Sequence, residues 1–224
     1  MKQFMQTVGL QIDDVAWTIG RTQTVSYSSK FGQVNFQSVA LNYTVYINDA
    51  FFASYDTGII LFNMPASKYS LGNNYYESVY PSSRSFLQTG TSAPVSRVYV
   101  MEKLPMNDGN FIRIVVVPII RMMNSTIFAG GEQISYFKFY LPILSSGPHP
   151  RHSQSITLRG ENVSVRTQGD ANSVRIEVSF PKESIGFDSD FFNFENQTVY
   201  VNVPPGSIIE FYTGEVIVSL GLHV

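Results

Sequence analysis

The histidines are the first residues to test for catalysis or metal binding. His149 and His152 lie three residues apart in a segment rich in Pro and Ser, and His223 lies near the last residue. A zinc site needs three or four ligands, so these two imidazoles would need the loop to curl and carboxylates to join from elsewhere. No third ligand at a known spacing is nearby, and we interpret the segment as an exposed linker.

An acidic segment, residues 188–195, resembles part of a calcium-binding loop. Asp188, Asp190 and Asn193 carry oxygen atoms at suitable spacing. The calcium pattern requires glycine at its sixth position, where this chain has Asn193, and three phenylalanines crowd the segment. We therefore predict a short helical turn that buries these aromatic rings, and no metal site.

Other catalytic signatures are missing from the sequence. There is no cysteine, so thiol chemistry and disulfides are excluded. There is no Gly-x-Ser-x-Gly motif, although a Ser-His-Asp triad that converges only in the fold stays open. We predict a protein that is not an enzyme, with no catalytic residue, cofactor or metal.

Asn-x-Ser/Thr tripeptides occur four times in the chain and are candidate N-glycosylation sites. Their acceptor residues are Asn42, Asn124, Asn162 and Asn196. The tripeptide is common by chance in a chain rich in Asn, Ser and Thr. Modification also requires export from the cell.

A tyrosine-rich stretch is the candidate ligand surface. The chain has 13 Tyr and 17 Phe, and many of these fit a β-sheet for packing reasons alone. Tyr69, Tyr75, Tyr76 and Tyr80 lie instead within a polar, turn-rich region, residues 64–94, which we predict to form long loops with a short helix near Tyr75. A glycan is the candidate ligand for these four rings.

The amino-acid composition argues against a nucleic-acid-binding protein and favours an extracellular one. The formal net charge is −2, so the chain is not a polycation for nucleic acid. Only 14% of residues are charged, below the roughly 25% of typical soluble domains. Uncharged polar residues take their place, as is common in extracellular proteins. No apolar run is long enough for a membrane helix, so we expect membrane contact only through an anchor upstream of Met1.

Residues 1–20 carry the strongest helical pattern. Apolar residues recur at spacings of four, three, four and three, which predicts an amphipathic helix that ends near Gly20. The stripe consists of Met1, Met5, Val8, Ile12 and Val15. One interpretation is a helix that packs on its own β-body. The other is the stub of a longer anchor helix, whose N-terminal end projects or contacts a neighbouring chain.

The remaining residues, 21–224, have the alternating pattern of β-strands separated by turns. We predict a mainly β fold, an antiparallel β-sandwich of two packed sheets or subdomains, with a candidate internal boundary at 145–153. The clearest hairpin pairs Val95–Lys103 with Phe111–Met122 across Asn107–Asn110. Further turns are predicted at 48–49, 56–58, 168–172 and 213–214.

One short segment carries a family resemblance. The run from Ile12 to Trp17, followed by Gly20-Arg-Thr and an alternating strand, resembles the segment after the membrane helix in archaeal type IV pilin-like (flagellin-like) surface proteins. In that family an apolar helix anchors in the membrane, packs in the filament core and carries a β-rich extracellular head.

The resemblance implies a cell-surface location and a role in surface attachment or filament structure. It also implies like subunits or other surface proteins as partners through the N-terminal helix. The alternatives are a secreted glycan-binding module or enzyme accessory domain, and a β-rich enzyme whose site forms only in the fold.

Overall fold

A computed structural model describes residues 1–104, 109–148, 154–180 and 197–221. Over these ranges the chain forms one helix and eleven strands. The helix is α1 (Lys2–Ala16). The strands are β1 (Thr22–Ser26), β2 (Gln33–Ile47), β3 (Ala50–Pro65), β4 (Tyr75–Tyr80), β5 (Leu87–Thr89), β6 (Ser96–Glu102), β7 (Phe111–Pro118), β8 (Ile120–Ala129), β9 (Glu132–Ser146), β10 (Ser155–Ser179) and β11 (Gln197–Leu220).

The strands of the described residues belong to one mixed sheet. Its order is β4-β6-β7-β3-β2-β10-β11-β9-β8-β5. In addition, β1 pairs with Ser155–Arg159 of β10, beyond the part of β10 that pairs with β2. The pairs β9/β11 and β5/β8 are parallel, and the other pairs are antiparallel. The prediction of a mainly β fold with one N-terminal helix is confirmed, with these two parallel pairs as an addition.

The sheet folds over on itself, because strands that are not neighbours in its order contact each other. β9 contacts β3, β2 and β7 in this way. The space between them is the inner core, whose largest buried side chains are Tyr43, Phe86, Tyr99, Phe139 and Phe211. A second cluster, the helix-side core, lies between α1 and the sheet and includes Ile12, Phe62, Ile114, Leu158 and Val218.

The predicted central hairpin is present as β6 and β7. Ser96 pairs with Pro118 and Glu102 with Ile112, in continuous antiparallel register. Five apolar side chains of this hairpin are buried in the helix-side core: Val98, Val100, Ile112, Ile114 and Val116. The predicted second strand is too long, because β7 ends at Pro118 and the chain passes to β8. Residues 105–108 of the turn lie outside the described residues.

Several predicted turns are in fact strand interiors. Residues 56–58 continue β3, residues 168–172 form an irregularity within β10, and residues 213–214 continue β11. The Asn48-Asp49 turn is confirmed: both residues have positive φ, as a two-residue hairpin turn between twisted strands requires. Residues that favour turns can lie within a strand, because a β-bulge accommodates them without ending the pairing of the two strands.

Residues 64–94 also differ from the prediction of long loops. The expected short helix near Tyr75 is strand β4, which pairs with β6, and Leu87–Thr89 pairs with β8. The candidate boundary at 145–153 separates β9 from β10, and residues 149–153 lie outside the described residues. Both strands belong to the same sheet and contribute to both cores.

Helix α1 is packed along its length. It ends at Ala16, four residues before the predicted stop, and Gly20 lies in the left-handed region with φ 80°. Met5 and Val8 are 0% exposed, so the expectation that the N-terminal end projects is wrong for these residues. The C-terminal end is attached to the β-body, since Ile12 and Val15 are buried and Trp17 packs on the same core.

Two glycines allow the C-terminal end of α1 to approach the sheet closely. A Cβ atom on Gly214 would lie 2.2 Å from the Ala16 carbonyl oxygen, and one on Gly160 would lie 2.4 Å from the Val15 carbonyl oxygen. Gly160 also exchanges backbone hydrogen bonds with the residues that follow the helix, accepting from Gly20 and donating to Arg21. Any side chain at either position would push the helix end away.

Candidate functional site

The four tyrosines predicted as a ligand surface are not all on one side of the molecule. Tyr69 is exposed in the segment after β3, whereas Tyr75, Tyr76 and Tyr80 are half-buried on β4. Tyr75 packs beside the helix-side core and its neighbour Tyr76 beside the inner core, so the two rings lie on opposite faces of the strand.

Tyr76 belongs to a buried arginine cluster. Arg97 is only 1% exposed; its Nη2 donates to the Tyr76 hydroxyl at 3.0 Å, and its guanidinium lies 5.4 Å from the Phe86 ring centre. Tyr76 and Tyr99 stack at 5.4 Å. Burial lowers the pKa of Arg97. Because Arg97 and Tyr99 are buried, we interpret the cluster as structural.

A second aromatic cluster joins the end of α1 to the sheet. The Asp13 carboxylate accepts hydrogen bonds from Trp17 Nε1 and from Arg121 Nη1, both at 2.8 Å. Trp17 packs edge-on against Tyr140, which stacks on Tyr212 at 4.9 Å. Burial and the hydrogen bond to Glu210 raise the pKa of Tyr212 to about 12. The cluster holds the helix in place.

The candidate glycosylation sites have different surroundings. Asn124 and Asn162 are exposed on β8 and β10. Asn42 is half-buried on β2, and its amide donates to Ser54 Oγ at 2.9 Å and to Asp56 Oδ1 at 2.8 Å. Asn196 lies outside the described residues.

The candidate metal ligands lie outside the described residues as well. They are His149, His152, His223, Asp188, Asp190 and Asn193. In the described part of the chain, no three His, Asp or Glu residues lie close enough to hold a metal ion. The helix in that part is too short and too polar to cross a bilayer.

The surface best suited to binding runs across four neighbouring strands. In register, Phe51 of β3 lies opposite Tyr46 of β2, Tyr46 opposite Arg175 of β10, and Arg175 opposite Tyr200 of β11. We call these four residues the outer aromatic row. The residues next to Tyr46, Arg175 and Tyr200 along their strands pack in or against the inner core, as does Phe52 beside Phe51, so the row lies on the solvent side of the sheet.

The row has exposed ends and an ordered middle. Phe51 is 66% exposed and Tyr200 is 71% exposed. Between them, the Arg175 guanidinium lies 3.8 Å from the Tyr46 ring centre, and Phe51 meets Tyr46 edge-on at 6.2 Å. Stacking and cross-strand contact fix the two inner side chains, so the surface is formed in advance of any ligand.

Carboxylates balance the charge of Arg175. Its Nη1 donates to Glu177 on the same strand face, and its Nε lies 3.9 Å from Asp49 Oδ1. These contacts hold the guanidinium over the Tyr46 ring and do not involve Phe51 or Tyr200.

Polar side chains form two further rows beside the aromatic one. In register, Ser54, Thr44, Glu177 and Thr198 form the nearer row, and Asp56, Asn42 and Ser179 the next. Thr44 Oγ1 donates to Asn42 Oδ1 at 2.9 Å. The surface therefore places hydroxyl, amide and carboxylate groups directly beside aromatic rings.

Sequence reasoning missed this row, although each strand carried part of the signal. In Asn42–Ile47, polar and aromatic residues alternate with apolar ones, and the same holds around Arg175 and Tyr200. Alternation predicts an outward face for each strand. It does not say that β2 pairs with β10, more than a hundred residues away, and that pairing creates the row.

The chain matches no protein-family model, no curated protein and no solved structure.

Proposed function

We propose that this chain is the non-enzymatic, β-rich extracellular head of a pilin-like cell-surface protein that acts in surface attachment. The outer aromatic row is its attachment surface. The observation that supports this function is the set of four side chains in register on adjacent strands, with Phe51 and Tyr200 mostly exposed. Exposed aromatic groups rimmed by polar residues are typical of interaction surfaces.

Of the two interpretations of helix α1, this proposal uses the one in which the helix packs on its own β-body. Its stripe from Met5 to Val15 packs on the sheet and is therefore not free to bind another subunit. Contacts with like subunits would use an anchor upstream of Met1 or the outer side of the helix, where Lys2, Gln3, Leu10 and Asp14 are exposed. The packed helix would transmit force from such an anchor into the sheet.

A secreted glycan-binding module is the second candidate function. The same row favours it, because aromatic rings beside hydroxyl and amide groups suit sugar ligands. The two candidates differ in whether the protein remains attached to the cell. The gene sequence upstream of Met1 distinguishes them: a basic stretch, a processing site and an apolar segment favour the anchored head, whereas an ordinary signal peptide favours the secreted module.

Cell-surface labelling combined with gene deletion tests the proposal. Antibodies against this chain should label intact cells of the source organism, and cells lacking the gene should attach less well to surfaces. Complementation with the wild-type gene should restore attachment. Label that appears only after the cells are permeabilised, or undiminished attachment of the deletion strain, would contradict the proposal.

A further inference from the structure

We infer that the outer aromatic row binds an uncharged carbohydrate chain that lies across the strands. This inference rests on the proposed function and names the ligand class of the same surface. It is carried by three observations: the exposure of the end rings, the charge of the surface, and the ordered polar rows beside it.

The distance between Phe51 and Tyr200 indicates the length of ligand that suits the surface. Phe51 and Tyr200 are separated by three steps between neighbouring strands, which is about 14 Å. The C–H faces of sugar rings pack against aromatic rings, and both end rings are exposed enough to be covered. This separation suits an oligosaccharide, with one sugar over each end ring, rather than a single monosaccharide.

The charge of the surface argues against an anionic ligand. Among the described residues of the row and its polar neighbours there are one guanidinium and three carboxylates: Asp49 and Glu177 contact Arg175, and Asp56 contacts Asn42. Nucleic acids and sulfated or uronic polysaccharides would meet net negative charge. Arg175 is occupied by stacking on Tyr46 and by pairing with Glu177, so it does not act as an anion receptor.

The polar rows favour sugar over a cationic peptide. Each of the three carboxylates already has a partner within the chain: Glu177 pairs with Arg175, Asp56 accepts from the Asn42 amide, and Asp49 lies 3.9 Å from Arg175. The hydroxyls of Thr44, Ser54 and Thr198 can each donate or accept. A ligand with many neutral hydroxyl groups matches this set better than a charged one.

A glycan array of uncharged α- and β-linked hexose, pentose and N-acetylhexosamine oligomers tests the ligand class, with heparin, alginate and poly-lysine as charged probes. The protein is produced without glycosylation. We expect binding to at least one neutral oligomer, and an affinity that is unchanged between low and high salt. Failure of every neutral oligomer overturns the inference, as does binding to heparin, alginate or poly-lysine that salt abolishes.

Substitutions in the outer aromatic row test whether the carbohydrate binds there. Tyr200→Ala and Phe51→Ala should each weaken binding to the selected neutral oligomer by about tenfold or more, because each removes one stacking ring. Phe128→Ala is the matched control, since Phe128 is 79% exposed on β8, outside the row. Unchanged melting temperatures establish that the variants are folded. Equal loss in the control, or no loss in the row variants, overturns the site.

Different results would contradict the anchored-head function and the uncharged carbohydrate ligand. If the protein is on the cell surface and promotes attachment but binds no neutral oligomer, only the ligand class is wrong. If it binds the oligomer through the row but is absent from the surface of intact cells, the anchored-head function is wrong and the ligand class stands.

Discussion

At the residue scale, Tyr43 joins parts of the chain that are distant in sequence. Its ring packs in the inner core, and its hydroxyl donates to the Pro118 carbonyl at 2.6 Å, where β7 ends and the chain passes to β8. Burial raises the pKa of Tyr43 well above its usual value, and it does the same for Tyr99. The folded protein therefore holds both hydroxyls in their protonated form.

This ionisation couples stability to alkaline pH. Because the folded-state pKa of each tyrosine is raised, the stabilisation is complete below the unfolded pKa of about 10 and is lost as pH rises toward the folded value. We expect the free energy of unfolding to fall above about pH 10, by as much as ~1.4 kcal/mol per pH unit for each buried tyrosine. Urea titrations across this pH range, with near-ultraviolet absorbance to follow tyrosine ionisation, measure the effect.

Tyr43→Phe separates the two contributions of this hydroxyl. At neutral pH the variant should lose about 1–2 kcal/mol of stability, because the hydrogen bond to Pro118 is gone. Above pH 10 its stability should fall less steeply than that of the wild type. Tyr200→Phe is the control, and an equal loss in that exposed variant would argue against a special role for Tyr43.

At the element scale, α1 is a structural member of the core. Four of its stripe residues, Met5, Val8, Ile12 and Val15, are buried against strands from both halves of the chain, including β6, β7 and β10. Ser96 Oγ donates to the Gly9 carbonyl at 2.8 Å, which joins the middle of the helix to β6. The helix therefore covers apolar strand surface that would otherwise face water.

Substitutions on the two sides of α1 should differ sharply. Ile12→Ala should cost about 2–5 kcal/mol, because it opens a cavity in the helix-side core. Leu10→Ala, at a position 51% exposed on the outer side, should change stability by no more than about 0.5 kcal/mol. Chemical denaturation of both variants checks this expectation. Similar costs would contradict the packing described for the helix.

Glycine substitutions test the attachment of the helix end. Gly214→Ala should lower stability by about 1–3 kcal/mol, since its Cβ would collide with the Ala16 carbonyl oxygen and force the helix to shift. Gly169→Ala is matched in chemistry, but its Cβ would enter open space. The melting temperature of the second variant should stay near that of the wild type, whereas a neutral Gly214→Ala would rule out the tight approach.

At the scale of the whole molecule, local patterns in the sequence predict the elements better than their assembly. The apolar stripe predicts α1, and the turn residues 107–110 predict the pairing of β6 with β7, although β7 ends at Pro118. The irregularities within β10 lie opposite β11, and β2 pairs with β10 across more than a hundred residues, so local patterns do not reveal either feature. Four tyrosines close in sequence were therefore expected to form a surface, whereas the outer aromatic row draws on strands separated by more than a hundred residues.

The attachment surface depends on the whole sheet, because Tyr46 and Arg175 are neighbours only while β2 pairs with β10. The most direct test of the account is the attachment of deletion-strain cells complemented with the double variant Phe51→Ala, Tyr200→Ala. We predict that these cells display the protein at wild-type levels but attach as poorly as the deletion strain, while cells that carry Phe128→Ala attach normally. Wild-type attachment by the double variant would contradict the account.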